Sequence, residues 1–268
     1  MPQKKNTNSK RFEKNVKAIV HKELAEEIEE KHAITEYADV FCKKAIPSGV
    51  VLNGQGNFFK ILPEIDQSVT GEAGRAYNTR IGNEINLKEI DIKGHFSYAN
   101  SNVGQNVYEN AKIALRVMIL RAKEVNDQEL LFDNMPTDTL IRFGSQAAGL
   151  PNGTGSFGGF SLDAFRDLNR DTFSVRLDKV IYLDAPVILP GATQPDVTVI
   201  PSRSKLFFHK LKFGKNGLKL KYSAQADTNP NNFPYFMVVG YSSMSSGLQP
   251  DDNLVRATIS CVGTYTDA

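Results

Sequence analysis

The residues most suggestive of chemistry are Gly153, Gly155 and Gly158 of GTGSFG, which match the GxGxxG pattern of phosphate-wrapping loops. A kinase loop of that kind needs a lysine strand, HRD and DFG downstream, and a dinucleotide loop needs a βαβ unit around it. Here QAAGLPN precedes the glycines, none of those kinase sequences follows, and no βαβ pattern is present. The segment is read as a flexible loop. Asp163 with Asp167, and Asp178 with Asp184, are the carboxylate pairs to weigh for acid–base work, yet no nucleophile, base and orienting group assemble beside them, and GxSxG is absent. His21, His32, His95 and His209 are scattered, HExxH is missing, and Cys42 and Cys261 are too few for a cysteine zinc site or a disulfide scaffold. Both are read as free thiols. Asp251-Asp252 in LQPDDN offers carboxylates to a Ca²⁺ ion at a subunit contact, but such an ion needs six or more oxygens, and a solvated loop is the simpler reading. Neither a cofactor nor an enzymatic activity is expected.

What the chain does offer is charge. Lys4, Lys5, Lys10, Arg11, Lys14, Lys17 and Lys22 stand against Glu13 alone in the first 22 residues, a net +6, so the other 246 residues carry −4 of the chain's net +2. A basic arm on a mildly acidic body points to a polyanion held by the arm, through phosphates rather than bases.

The elements that would position these groups follow from periodicity. Residues 1–10 are polar and read as disordered. Phe12, Val16, Val20, Leu24 and Ile28 recur four apart and predict a helix, basic in its first half and acidic in its second, an order opposed to the helix dipole. Arm and helix are assigned to 1–45. After Ile46-Pro47 the chain turns to short β-rich segments at 57–62, 84–98, 111–123, 171–184, 204–213, 217–225, 233–242 and 254–265, with no interleaved helical pattern. That predicts an all-β sandwich or barrel. Within 84–98, Ile85 and Leu87 share one parity while Ile90, Ile92, Phe96 and Tyr98 share the other, which requires a bulge or a strand serving two packing layers. Asn216-Gly217 predicts a tight hairpin between 204–213 and 217–225. AKIALRVMIL is apolar on both parities, as a central strand is. The Gly-, Asn- and Pro-rich connection 124–170 holds one short helix at 160–168 and is read as functional or interfacial. No apolar run approaches the roughly 20 residues of a membrane span, and the N-terminus lacks a secretory h-region, so a soluble protein from a reducing compartment is expected.

With its basic arm, GQGNFFKILPEIDQSVTGEAGRAYNTRIGNEINLKEIDIKGHFSY, IALRVMILRAK, RDTFSVRLDKVIYLD and the terminal ATISCVGTYTDA, the chain resembles the single jelly-roll capsid proteins of small circular single-stranded DNA (CRESS-type) viruses. Their shells are similar to those of small RNA satellite and tombus-like viruses. The likeness runs from about residue 46 onward, with Gln55-Gly56, Arg80, Gly82 and Ile90 to Gly94 matching the passage from the first body strand into the second. Arg116 and the stretch Arg170 to Asp178 match the fourth and fifth strand regions. It implies an eight-stranded antiparallel jelly-roll sandwich over 46–268. It further implies self-assembly into an icosahedral shell of about 60 copies or more, packaging of single-stranded DNA, and residence in the virion after assembly in the host nucleus. No membrane is implied, and any host receptor is left unspecified. The arm departs from the arginine-dense arms of the group in having six Lys and one Arg. Two alternatives share the pattern: the coat of a small RNA or satellite virus, and a carbohydrate-binding jelly-roll module. The absence of Trp, the basic arm and the missing signal oppose the last.

Overall fold

The computed structural model describes residues 12–17, 30–49, 56–67, 78–99, 107–144, 153–185 and 203–267. Their strands are β1 (Lys31–Cys42), β2 (Phe58–Phe59), β3 (Glu84–Tyr98), β4 (Lys112–Ala122), β5 (Ile141–Phe143), β6 (Gly153–Gly155), β7 (Phe173–Asp184), β8 (Ser204–Lys212), β9 (Leu218–Lys221), β10 (Tyr235–Ser243) and β11 (Val255–Asp267). All the ladders between them are antiparallel. One sheet runs β1-β11-β3-β8, with β9 also on β3, and the other runs β2-β10-β4-β7. The protein is an all-β sandwich, and each of the eight expected segments contains a strand.

The body starts earlier than residue 46. β1 pairs along β11 from Lys31↔Tyr265 to Cys42↔Val255, with Ala33 and Cys42 in the core. Its first residue is pinned by Lys31 Nζ, which donates to the Thr79 carbonyl at 3.0 Å and meets Asp267 at 2.5 Å. A register shift between Tyr37 and Val40 puts Asp39 at φ 52, where its carboxylate takes Arg256 at 2.7 Å. Helical periodicity therefore does not extend through 31–42.

The phase slip in β3 is a bulge. Glu89 faces Thr264 and Leu87 faces Tyr265, so Lys88 is the extra residue. One additional residue reverses parity, and Ile85, Leu87, Ile90, Ile92 and Phe96 all reach the same core. Of the two expectations, the bulge holds and the strand serving two packing layers does not. Opposite the bulge, the expected Asn216-Gly217 hairpin is absent. β8 ends with Lys212↔Glu89 and β9 begins with Leu218↔Leu87, both antiparallel to β3, so 213–217 is a looped-out jog in one edge lane. Gly217, at φ 75, lies against the Leu87 carbonyl, where a Cβ would come within 2.7 Å.

The second sheet is buried on both faces. Ile113, Leu115, Val117 and Ile119 of β4 face the other sheet, while Met118 and Leu120 face a second cluster with Phe173, Phe236, Leu131, Leu140 and Phe157. Leaving such side chains wet costs about 1.5–3 kcal/mol each, so this face needs a cover. The cover is the 124–170 excursion: a helix over Gln128–Asp133 capped by Asp127, the β5–β6 ribbon, and a 3-10 turn, Ser161–Ala164, where a short helix was expected. Arg116 fastens it, with Nε and Nη2 on the two Asp178 oxygens at 2.8 and 2.6 Å and Nη1 donating to the Asp163 and Arg166 carbonyls at 2.7 Å.

Gly56 has backbone on its Cβ side. A methyl there would collide with the Phe41 carbonyl oxygen. Gly56→Ala is expected to lower stability by about 1–3 kcal/mol in a urea titration, as overpacking against immobile backbone does.

Burial also sets the alkaline limit of the fold. It raises the Cys42 and Cys261 thiols from 9.0 to about 12 and the Tyr37 hydroxyl from 10.0 to about 12, and it pushes Tyr98, Tyr222, Tyr241 and Tyr265 up as well. Each group prefers its neutral form when folded. Its contribution is whole below the unfolded value and is lost as pH rises toward the folded one. The urea midpoint should hold to about pH 9 and fall between about 9 and 12, and both thiols should resist a disulfide-exchange reagent at about pH 8 until the protein unfolds.

Candidate nucleic-acid interface and assembly surfaces

Of the seven arm cations, Lys14 and Lys17 fall in the described segment 12–17, which is helical and exposed, with Phe12 70% and Val16 41% accessible. Lys4, Lys5, Lys10, Arg11 and Lys22, and the stripe residues Val20, Leu24 and Ile28, lie outside the described residues. Lys14 and Lys17 have no ion-pair partner among the described residues, which leaves their charge available to a polyanion.

Four of the carboxylates weighed for chemistry are committed to structure. Asp163 is buried and accepts from the Gly158 and Phe160 amides at 2.9 and 3.1 Å and from Arg166 at 2.5 Å. Asp178 is held by Arg116. Asp251 accepts from Asn110 Nδ2 at 2.8 Å and Asp252 from the Lys44 amide at 3.3 Å, so the two carboxylates serve different segments. Among the described residues no three or more His, Cys, Asp or Glu side chains are placed to hold a metal. Nor is GTGSFG a flexible loop: Gly153–Gly155 forms β6, Gly155 packs on the Phe143 ring, and Phe157 is fully buried.

Arg80 has a different environment. Its guanidinium donates to Gln67 Oε1, Asn83 Oδ1 and the Gly82, Ala224, Gln225 and Asp227 carbonyls at 2.6–3.1 Å, and stacks 4.1 Å from the Tyr222 ring. It ties the start of β3 to the loop after β9 and offers nothing to a ligand.

Two surfaces remain. On the excursion, Phe160, Leu162 and Phe165 are 48%, 57% and 62% exposed beside a depression of about 470 Å³ lined by Phe143, Gly158 and Gly247. Arg166 there is engaged by Asp163 and by the Phe143 ring at 4.2 Å. The other surface is the β8–β9 edge, where residues 203–222 hold Arg203, Lys205, Lys210, Lys212, Lys215, Lys219 and Lys221 and no acid. Charge averaged over the whole body, at −4, conceals it; without this stretch the body carries −11.

No protein-family model matches the chain, and no curated protein matches it.

Proposed function

We propose that the chain is the coat subunit of a small virus, which assembles with copies of itself into a closed shell and holds single-stranded nucleic acid through its basic arm. The nested pairing of the strands supports the fold half of this reading. Taking β8 and β9 as one lane, the eight lanes pair first with eighth (β1·β11), second with seventh (β2·β10), third with sixth (β3·β8) and fourth with fifth (β4·β7). That is the pairing of a doubled ribbon wound into a jelly roll, an architecture shared by capsid and lectin domains. Fold does not fix function. The observation that carries the reading is the joint exposure of Phe160, Leu162 and Phe165 on the excursion, an apolar cluster of the kind that marks a surface for contact with another protein.

The reading is of a structural, non-catalytic protein found in the virion. DNA as the packaged strand follows the resemblance; lysine–phosphate contacts serve RNA equally. A Ca²⁺ ion at Asp251 and Asp252 would need further oxygens from a neighbouring copy. Replacing both Leu162 and Phe165 by Asp tests the assembly surface. Sedimentation should show particles replaced by small species with the thermal transition intact, and unchanged particles would remove this surface from the account.

A further inference from the structure

We propose that the β8–β9 edge is a second surface for single-stranded nucleic acid, in which Phe208 stacks on a base while Lys212 and Lys215 hold neighbouring phosphates. This rests on the reading above and adds a binding element on the body itself. Phe207 and Leu211 point into the core, so Leu206, Phe208, Lys210 and Lys212 share the outward face of β8. A rise of about 3.3 Å per residue spaces successive outward side chains by roughly 6.6 Å, on the order of the phosphate repeat of an extended single strand. Lys210 and Lys219 are engaged by Glu89 and Glu84 at 2.7 and 2.6 Å. Lys212 and Lys215 have no ion pair among the described residues and follow Phe208 along the lane, Lys212 on the same outward face and Lys215 in the loop beyond it.

Lysines on an edge strand also serve to keep other strands from adding to the sheet. That role accounts for the lysines and not for Leu206 and Phe208, which are 66% and 64% exposed among them. Large apolar side chains invite the association that guard residues prevent. An aromatic ring interleaved with cations is instead the arrangement by which proteins hold single strands with little sequence preference, the ring stacking and the cations tracking the backbone. Register places Lys93 beside Phe208, where Asp91 pairs with it at 3.4 Å, so the free cations of this face are those at the end of β8 and in the loop after it.

The test uses the full chain, a fluorescent oligothymidylate titrated against salt, and heparin as a polyanion without bases. In K212Q/K215Q, the slope of log K against log salt should shrink by about 1.4, at 0.7 for each phosphate no longer neutralised. Phe208→Ala should weaken oligothymidylate binding by roughly tenfold and leave heparin binding unchanged. If both variants bind as wild type while an arm variant with Lys4, Lys5 and Lys10 changed to Gln does not, the inference is overturned and the arm reading stands. Should Phe208→Ala disrupt assembly and spare oligonucleotide binding, the ring belongs to a contact between copies and the inference is overturned. A wild type that binds neither polyanion sinks the inference together with the reading beneath it.

Discussion

Arg80→Met is expected to lower the unfolding free energy by about 3 kcal/mol or more, which a urea titration would report as a lower midpoint at unchanged slope. The substitution keeps most of the apolar stem and deletes donors that satisfy four backbone carbonyls and two side-chain amides. Each acceptor left dry costs about 1–3 kcal/mol, and partial hydration returns some of it. Arg80→Lys restores the charge with three donors and no planar fork, and so forfeits the stack on Tyr222. It should recover less than half the loss. A methionine variant as stable as wild type would mean that the loop after β9 is held by other contacts.

Deleting residues 1–22 should leave a folded body and remove most salt-dependent binding of single strands. Seven cations permit a slope of at most about −5, so a fourfold rise in salt costs the wild-type arm contribution about a thousandfold. The truncated protein should retain a slope of about −1.4 from the β8–β9 edge. Because β1 begins at Lys31, this deletion spares the sheet, whereas removal of 1–45 strips β1 from β11 and should give insoluble protein. Limited proteolysis should accordingly stop before Lys31. Truncation at 22 with an unchanged slope would take the arm out of the account.

The strands were legible wherever one face alternates, as in Phe173–Asp184, and the bulge was legible because Leu87 and Ile90 cannot share a face without one. β1 was not, since KHAITEYADVFC follows a stripe of helical period and its Glu36 and Asp39 break the apolar run. The alternation of Ala33, Thr35 and Tyr37 was the available signal. The turn FGKNGL was visible but its partner was not: local sequence sets the turn, and β3, far earlier in the chain, decides whether a hairpin or a jog follows. GTGSFG yielded to packing of the same non-local kind, the Phe143 ring against Gly155. The edge cations were countable in the sequence, and only their confinement to one lane of one sheet gave them meaning.

The most direct measurement is electron microscopy of the purified full-length protein, combined with nuclease treatment and recovery of protected nucleic acid. The account predicts closed, uniform particles that protect single-stranded nucleic acid and release it in high salt. A monomer at every concentration, pH and salt, with nothing protected, would contradict it.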